Sequence, residues 1–144
     1  MRRFKIVTLW IFGLLFVVAG INHFVATAFY ISIMPPYLPW HRELVYISGV
    51  AEVVLGVALW LRRSRTVAAW GLIALLVAVS PANLHMALHP EQFPTLPPLG
   101  LWLRLPLQGV LIAWAYWYTR DTDRQRLEAR SVRHGHSPST DRTW

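Results

Sequence analysis

The chain has 144 residues, of which 55% are hydrophobic and 13% aromatic, and its formal net charge is +7 at pH 7. This apolar share exceeds that of an ordinary soluble domain. The basic residues stand at the ends of apolar runs and not along a polar face, so the charge indicates a membrane and disfavours nucleic acid as a partner. The chain has no cysteine, which excludes disulfide exchange, thiol catalysis, cysteine-ligated zinc and iron–sulfur clusters.

Four apolar runs predict four spanning helices, at about residues 5–24, 44–61, 66–86 and 104–118. Roughly 20 residues are needed to cross the hydrocarbon core of a bilayer. We therefore expect a four-helix transmembrane domain over residues 1–118 and a polar cytoplasmic tail over residues 119–144. A signal peptide is the alternative for the first run, but that run is long for one, and a repeat pairs it with an internal segment.

The repeat consists of the pattern P-P-x-x-x-W-x-R, which occurs at residues 35–42 and again at residues 97–104, an offset of 62 residues. His23 and His85 are separated by the same offset. A fixed offset that links several residues is typical of an internal repeat. The fold class predicted here is therefore an all-α membrane protein, a four-helix transmembrane bundle built from two parallel helical-hairpin repeats.

The connections that carry the two patterns are long, apolar and rich in proline, so we expect them to be packed over one end of the bundle. All lysine and arginine residues except Arg42 and Arg104 lie in the N-terminal segment, at the 62–65 turn or in the tail. Because cytoplasmic loops carry the excess of basic residues, both termini should be cytoplasmic and both proline-rich connections should face outward.

Polar residues collect in the half of the bundle beneath the proline-rich connections. The candidate ligand-binding residues are Asn22, His23, Glu52, Asn83, His85, Arg104 and Gln108. Glu52 should lie about 12 Å below Leu44, where an ionised carboxylate is costly. It should therefore find an interior partner or keep its proton, and Glu52→Leu should be more damaging than Glu52→Gln. Either these groups only bond one another and fix helix register, or they line a pocket that opens outward.

Three kinds of ligand fit these residue types. His23 and His85 could ligate a b-type haem, which we disfavour because both lie near the outer edge. A divalent metal could use His23, His85 and Glu52, but Glu52 lies about two turns too deep, so no metal site is assigned. A quinone or a lipid headgroup could take hydrogen bonds from the histidines and arginines, and this is the favoured reading. No catalytic residue is assigned, and His134 and His136 in the tail are expected to be solvated.

Five stretches carry a resemblance to a known family: residues 20–24 (GINHF), 33–39 (IMPPYLP), 47–52 (ISGVAE), 80–86 (SPANLHM) and 103–108 (LRLPLQ). Over most of residues 4–118 the chain resembles the DoxX-like family of small bacterial integral membrane proteins. The resemblance implies a four-helix bundle in the bacterial inner membrane. The family name comes from a subunit associated with a terminal quinol oxidase and thiosulfate oxidation, and other members are linked to oxidative-stress complexes.

The function expected from this resemblance is a redox-associated or quinone- or lipid-binding subunit with an outward-facing polar pocket and no independent catalytic activity. Its partners would be the lipid bilayer and another membrane or redox protein. The first alternative is a non-enzymatic structural or assembly partner of another membrane complex. The second is a small-molecule carrier, which the apolar inner half of the helices disfavours. The resemblance supplies no agreed catalytic residues.

Overall fold

The computed structural model describes residues 2–94 and 96–135; for Arg2 and residues 121–135 it describes the backbone only. The described residues are helical and contain no β-strand. The helices are α1 (Arg2–Val25), α2 (Thr27–Ser32), α3 (His41–Trp60), α4 (Arg65–Leu88) and α5 (Pro98–Gly135), with a 3₁₀ turn at Pro90–Gln92 between α4 and α5. His136 lies outside the described residues, as does the side chain of His134.

Four helices of the described chain are long and apolar enough to cross a membrane: Arg3–Val25, His41–Trp60, Arg65–Leu88 and Pro98–Arg120. The first three lie within three residues of the predicted spans at both ends. The fourth helix starts at Pro98, six residues before residue 104, where the span is predicted to begin. The helix starts at Pro98 because proline suits the first helical turn, and the Pro97 carbonyl accepts from the backbone N–H of Gly100 at 2.8 Å.

The two copies of the repeated pattern therefore differ in local structure. In the first copy the prolines lie in a loop, and α3 begins only after Trp40. In the second copy the prolines start α5, so Trp102 and Arg104 lie inside a helix. The helix also continues past residue 118 to Gly135, so no break in the backbone marks the predicted border between the bundle and the tail.

The long helices form an antiparallel bundle in which α1 packs on α3, α3 on α4 and α4 on α5. Aromatic rings connect α1 with α5, since the Phe12 ring lies 4.8 Å from that of Trp114. Glycines bring α1 and α3 into backbone contact. A Cβ atom at Gly20 would lie 2.6 Å from the carbonyl oxygen of Gly49. Small residues are what allow helices to approach this closely.

Two separate cores stabilise the two ends of the bundle. The larger fills the end that holds the N-terminus and the α3–α4 turn, with buried residues such as Phe12, Leu59 and Tyr118. The smaller lies beneath the proline-rich connections and is formed by Ile33, Met86, Phe93 and Leu101. We call the second end the loop end. The connections there are packed elements of the fold, as their apolar composition predicts.

The first connection is held in a fixed shape at the loop end. Pro35 is fully buried, and its carbonyl oxygen accepts from the Leu38 N–H at 3.1 Å. The same oxygen lies 3.1 Å from His41 Nε2, at the start of α3. Trp40, just before α3, adopts the left-handed conformation with φ 55°, and its side chain is exposed.

Candidate functional site

The structure divides the predicted site residues between two helix interfaces. Asn22, His23 and Glu52 lie where α1, α2 and α3 meet, and we call this group the His23 cluster. Asn83 and Gln108 lie where α4 meets α5, and we call them, together with Ser80, the Gln108 cluster. Both clusters lie toward the loop end. The predicted single pocket bounded by His23, Glu52, His85 and Gln108 stays a prediction.

His23 is the centre of the first cluster. Its imidazole is 7% exposed and stacks on the Tyr30 ring of α2, with centroids 3.8 Å apart and planes inclined by 19°. Its Nδ1 lies 2.9 Å from the Ala19 carbonyl oxygen, one turn earlier in α1. Since a carbonyl oxygen can only accept, this contact places a proton on Nδ1. Nε2 is then the acceptor nitrogen of the neutral ring.

Glu52 reaches His23 from α3. Its Oε2 lies 3.6 Å from His23 Nδ1, which is too long for a hydrogen bond but close enough for strong electrostatic interaction in a dry interior. That oxygen is buried and has no hydrogen-bond partner among the described residues. Glu52 thus supplies a carboxylate oxygen that is close to an imidazole yet keeps its full accepting capacity.

The directions of the side chains explain why these two residues meet. Because Gly20 opposes Gly49, Glu52 lies about six residues, or roughly 9 Å, deeper than His23 along the bundle axis. Side chains of an α-helix lean toward its N-terminus. On antiparallel helices, His23 therefore leans inward and Glu52 leans toward the loop end, and the two side chains converge.

The second ring nitrogen of His23 is the polar atom through which the cluster can meet a ligand. Nδ1 faces the Ala19 carbonyl oxygen, so Nε2 is the ring nitrogen that is left to accept a hydrogen bond, and no described residue donates one to it. The Tyr30 hydroxyl, on the ring that covers His23, accepts from Asn22 Nδ2 at 3.1 Å. The cluster can therefore accept a proton at Nε2 and balance the resulting charge with Glu52.

The Gln108 cluster, by contrast, is a nearly complete hydrogen-bond network. Gln108 is buried, and its Oε1 accepts from Asn83 Nδ2 at 3.0 Å. Its Nε2 donates to Ser80 Oγ at 2.8 Å and to the Leu76 carbonyl oxygen. The Ser80 hydroxyl donates to the same carbonyl at 3.1 Å. These bonds attach α5 to α4 beside Pro81, a proline inside α4.

Two predicted site residues join neither cluster through a hydrogen bond or ion pair with a described residue. The His85 ring lies 4.4 Å from that of His89, at the end of its own helix, and the His85 carbonyl is 3.0 Å from His89 Nδ1. Arg104 is partly exposed on α5. No group of three or more potential metal ligands occurs in the described part of the chain.

Sequence reasoning missed Tyr30 and Ser80 as members of the clusters. Tyr30 follows His23 by seven residues, two helical turns, but a helix break at Ala26 hides that spacing. Ser80 precedes Pro81, and its value as an acceptor becomes visible only when Gln108 of another helix is placed beside it. The available signal was polarity itself, since both residues stand among apolar neighbours.

Comparison with known proteins gives a family and no activity. No curated protein matches the chain, and no solved structure does. The family described as "Domain of unknown function (DUF8561)" matches residues 12–119, a range that begins within α1 and ends within α5 and includes both clusters. This chain therefore belongs to the DUF8561 family.

Proposed function

We propose that the chain is a DoxX-like protein of the bacterial inner membrane, with four spans, cytoplasmic termini and two hairpin repeats. In this proposal the His23 cluster binds an amphiphile with a quinone-type headgroup, as a redox-associated subunit would. Four helices suited to a bilayer support the membrane placement, and the distribution of basic residues supports the orientation. The matching positions of His23 and His85, each near the loop end of its helix, support the repeat.

The observation that carries the ligand proposal is the buried His23–Glu52 pair with its unpartnered carboxylate oxygen. Ionisable groups at membrane depth are expensive and are commonly functional. The ligand must come from the membrane, because the cluster lies in helices of membrane-spanning length. It must also offer a group that can exchange a proton with Nε2. A quinol hydroxyl does this, and the corresponding quinone carbonyl accepts from the protonated ring.

The same geometry disfavours the lipid-headgroup reading. A phosphate needs cationic donors such as arginine, and neither Arg42 nor Arg104 has a hydrogen bond or ion pair with the described residues of this cluster. The carboxylate of Glu52 would repel a phosphate. A neutral ring that carries one or two hydroxyl or carbonyl groups avoids both problems. The stacking of His23 on Tyr30 is the kind of ring contact that would suit such a ligand.

Gentle purification of the full chain followed by lipid extraction tests the proposal. The extract should contain a quinone in an amount close to that of the protein, detected by mass spectrometry and by its ultraviolet spectrum before and after borohydride reduction. A His23→Phe variant should lose it while keeping the stacking contact with Tyr30. An extract without quinone, together with a co-purifying membrane protein, would replace the proposal with an assembly role; a Soret band would replace it with haem binding.

A further inference from the structure

A second site lies between α4 and α5, the pair of helices that does not contribute to the His23 cluster. A groove of about 640 Å³ runs along the two helices, and Tyr37 of the first connection stands at its end. Its walls are formed by residues one helical turn apart, which are Val77, Ser80, Pro81 and Leu84 on α4 and Leu105, Gln108, Gly109 and Ile112 on α5. None of these residues is charged.

Gly109 is what leaves the groove open. A Cβ atom at this position would meet nothing within 4 Å, whereas a Cβ atom at Gly13, Gly20, Gly49, Gly56 or Gly71 would meet another atom within 3 Å. Those five glycines are explained by close packing, and Gly109 is not. Glycine also destabilises an α-helix by about 1 kcal/mol relative to alanine. Packing against another helix does not explain this cost at Gly109, whereas an open groove does.

Apart from the Tyr37 hydroxyl, the polar atoms of the groove are hydrogen-bond acceptors on α4 and α5, and the side-chain donors beside them already have partners. The Gln108 amide group donates to the Leu76 carbonyl oxygen and to Ser80 Oγ. The Ser80 hydroxyl donates to the same carbonyl oxygen. Pro81 has no N–H to donate to the Val77 carbonyl, and the described side chains supply no donor in its place. The remaining lone pairs of Val77, Ser80 and Gln108 therefore line a groove with apolar walls.

We propose that this groove binds a neutral membrane lipid whose polar group is a hydroxyl, with the hydroxyl donating to the acceptors at Val77 and Ser80 and the apolar chain lying along α4 and α5. The absence of charge among the lining residues argues against a phosphate or carboxylate headgroup. An unpaired carbonyl in hydrocarbon is costly, so a donor is the missing partner. This inference rests on the proposed membrane placement but not on the ligand of the His23 cluster.

Photolabelling tests the proposal. The purified full-length chain in nanodiscs is irradiated with a long-chain primary alcohol that carries a diazirine, and labelled residues are mapped by mass spectrometry. The matched probe is the methyl ether of the same alcohol, which lacks only the donor. The alcohol should label the α4 and α5 walls about fivefold more than the ether, as expected for one net hydrogen bond. Equal labelling by the two probes would overturn the proposal.

Four variants test where the probe binds. A Cβ atom at residue 109 meets nothing within 4 Å, so Gly109→Leu should occupy the groove and abolish the labelling, whereas Val110→Leu, at an exposed position beside the groove, should not. Pro81→Ala restores an N–H for the Val77 carbonyl, so labelling should persist while the preference for the alcohol falls, because Ser80 is then the one proposed acceptor that remains. Glu52→Met, in the other half, should leave the labelling intact even if it removes a quinone. Groove labelling that survives Gly109→Leu would contradict the assignment.

Discussion

Replacing Glu52 by methionine should stabilise the protein while weakening its proposed ligand binding. Methionine has nearly the shape of glutamate and fills irregular spaces well. The substitution removes a buried oxygen that has no hydrogen-bond partner among the described residues. His23 loses little, because its Nδ1 keeps the 2.9 Å contact with the Ala19 carbonyl. The stability of the fold and the chemistry of the site therefore oppose each other at this one residue.

The size of the effect follows from the cost of an unsatisfied buried polar group, about 1–3 kcal/mol. A chain of roughly this length gains about 2–4 °C in its melting midpoint for each kcal/mol. Glu52→Met should therefore melt between a few degrees and about 10 °C higher than the parent. The attraction between the His23 Nδ1–H group and Glu52 Oε2, 3.6 Å apart, reduces the gain, so the lower half of that range is the expected outcome.

Thermal unfolding in a mild detergent, followed by tryptophan fluorescence, measures this directly. Glu43→Met is the matched control, since Glu43 lies in the first turn of the same helix and is exposed; its midpoint should hardly change. A Glu52→Met variant that melts lower than the parent would refute the reasoning. It would mean that Glu52 has a stabilising partner and is not an unsatisfied group retained for a ligand.

Three further predictions address the packing and the topology. Gly49→Ala should lower the free energy of unfolding by about 1–3 kcal/mol through overpacking, because the new Cβ would lie 2.8 Å from His23 Cβ and 3.0 Å from the Gly20 carbonyl oxygen. Gly109→Ala should be neutral or stabilising in the same melting assay. Gln108→Leu should lower stability by about 2–3 kcal/mol, since it leaves buried polar groups of α4 unpaired, and a variant that melts like the parent would disprove that role for the network. Because the chain lacks cysteine, single cysteines at Ser64 and Glu91 can be labelled with an impermeant thiol reagent on intact cells; Glu91 should react and Ser64 should not, and the reverse pattern would overturn the orientation.

The helices were predictable because the signal for each is long. Runs of about 20 apolar residues leave little ambiguity about the existence of an element, and three of the four spans were predicted to within three residues. The start of α5 was not, because a Pro-Pro pair is compatible with both a loop and a first helical turn. The copies at residues 35–42 and 97–104 share four of their eight residues, and these shared residues do not determine which local structure each copy adopts.

The contact between His23 and Glu52 was missed for a geometric reason. Counting residues along each span places the two residues at different depths, which is correct for the helix axes. The count ignores the lean of side chains toward the N-terminus of their own helix. On antiparallel helices this lean closes the gap, and the side chains come within 3.6 Å. No described residue donates a hydrogen bond to the buried Oε2 of Glu52, and the order of Glu52→Leu and Glu52→Gln stays a prediction.

The division of the polar residues into two clusters could not be read from the sequence either. Seven residues in one half of a bundle suggest one site, but which faces they occupy depends on the crossing of the helices. Contacts between glycines fix how α1 and α3 meet, and the Gln108 network fixes how α4 and α5 meet. Each pair of helices thus encloses its own polar group.

The binding of a short-tailed benzoquinol to the chain in nanodiscs, measured by calorimetry beside its dimethyl ether, tests the central claim most directly. The ether keeps the ring but has no proton for His23 Nε2. The parent chain should bind the quinol about tenfold more tightly than the ether, as expected for a hydrogen bond to a group that takes up charge. Glu52→Met should show a smaller preference, because Nε2 can still accept a hydrogen bond but no carboxylate balances a proton that it takes up. Equal binding by the parent chain, or an undiminished preference in Glu52→Met, would contradict the account.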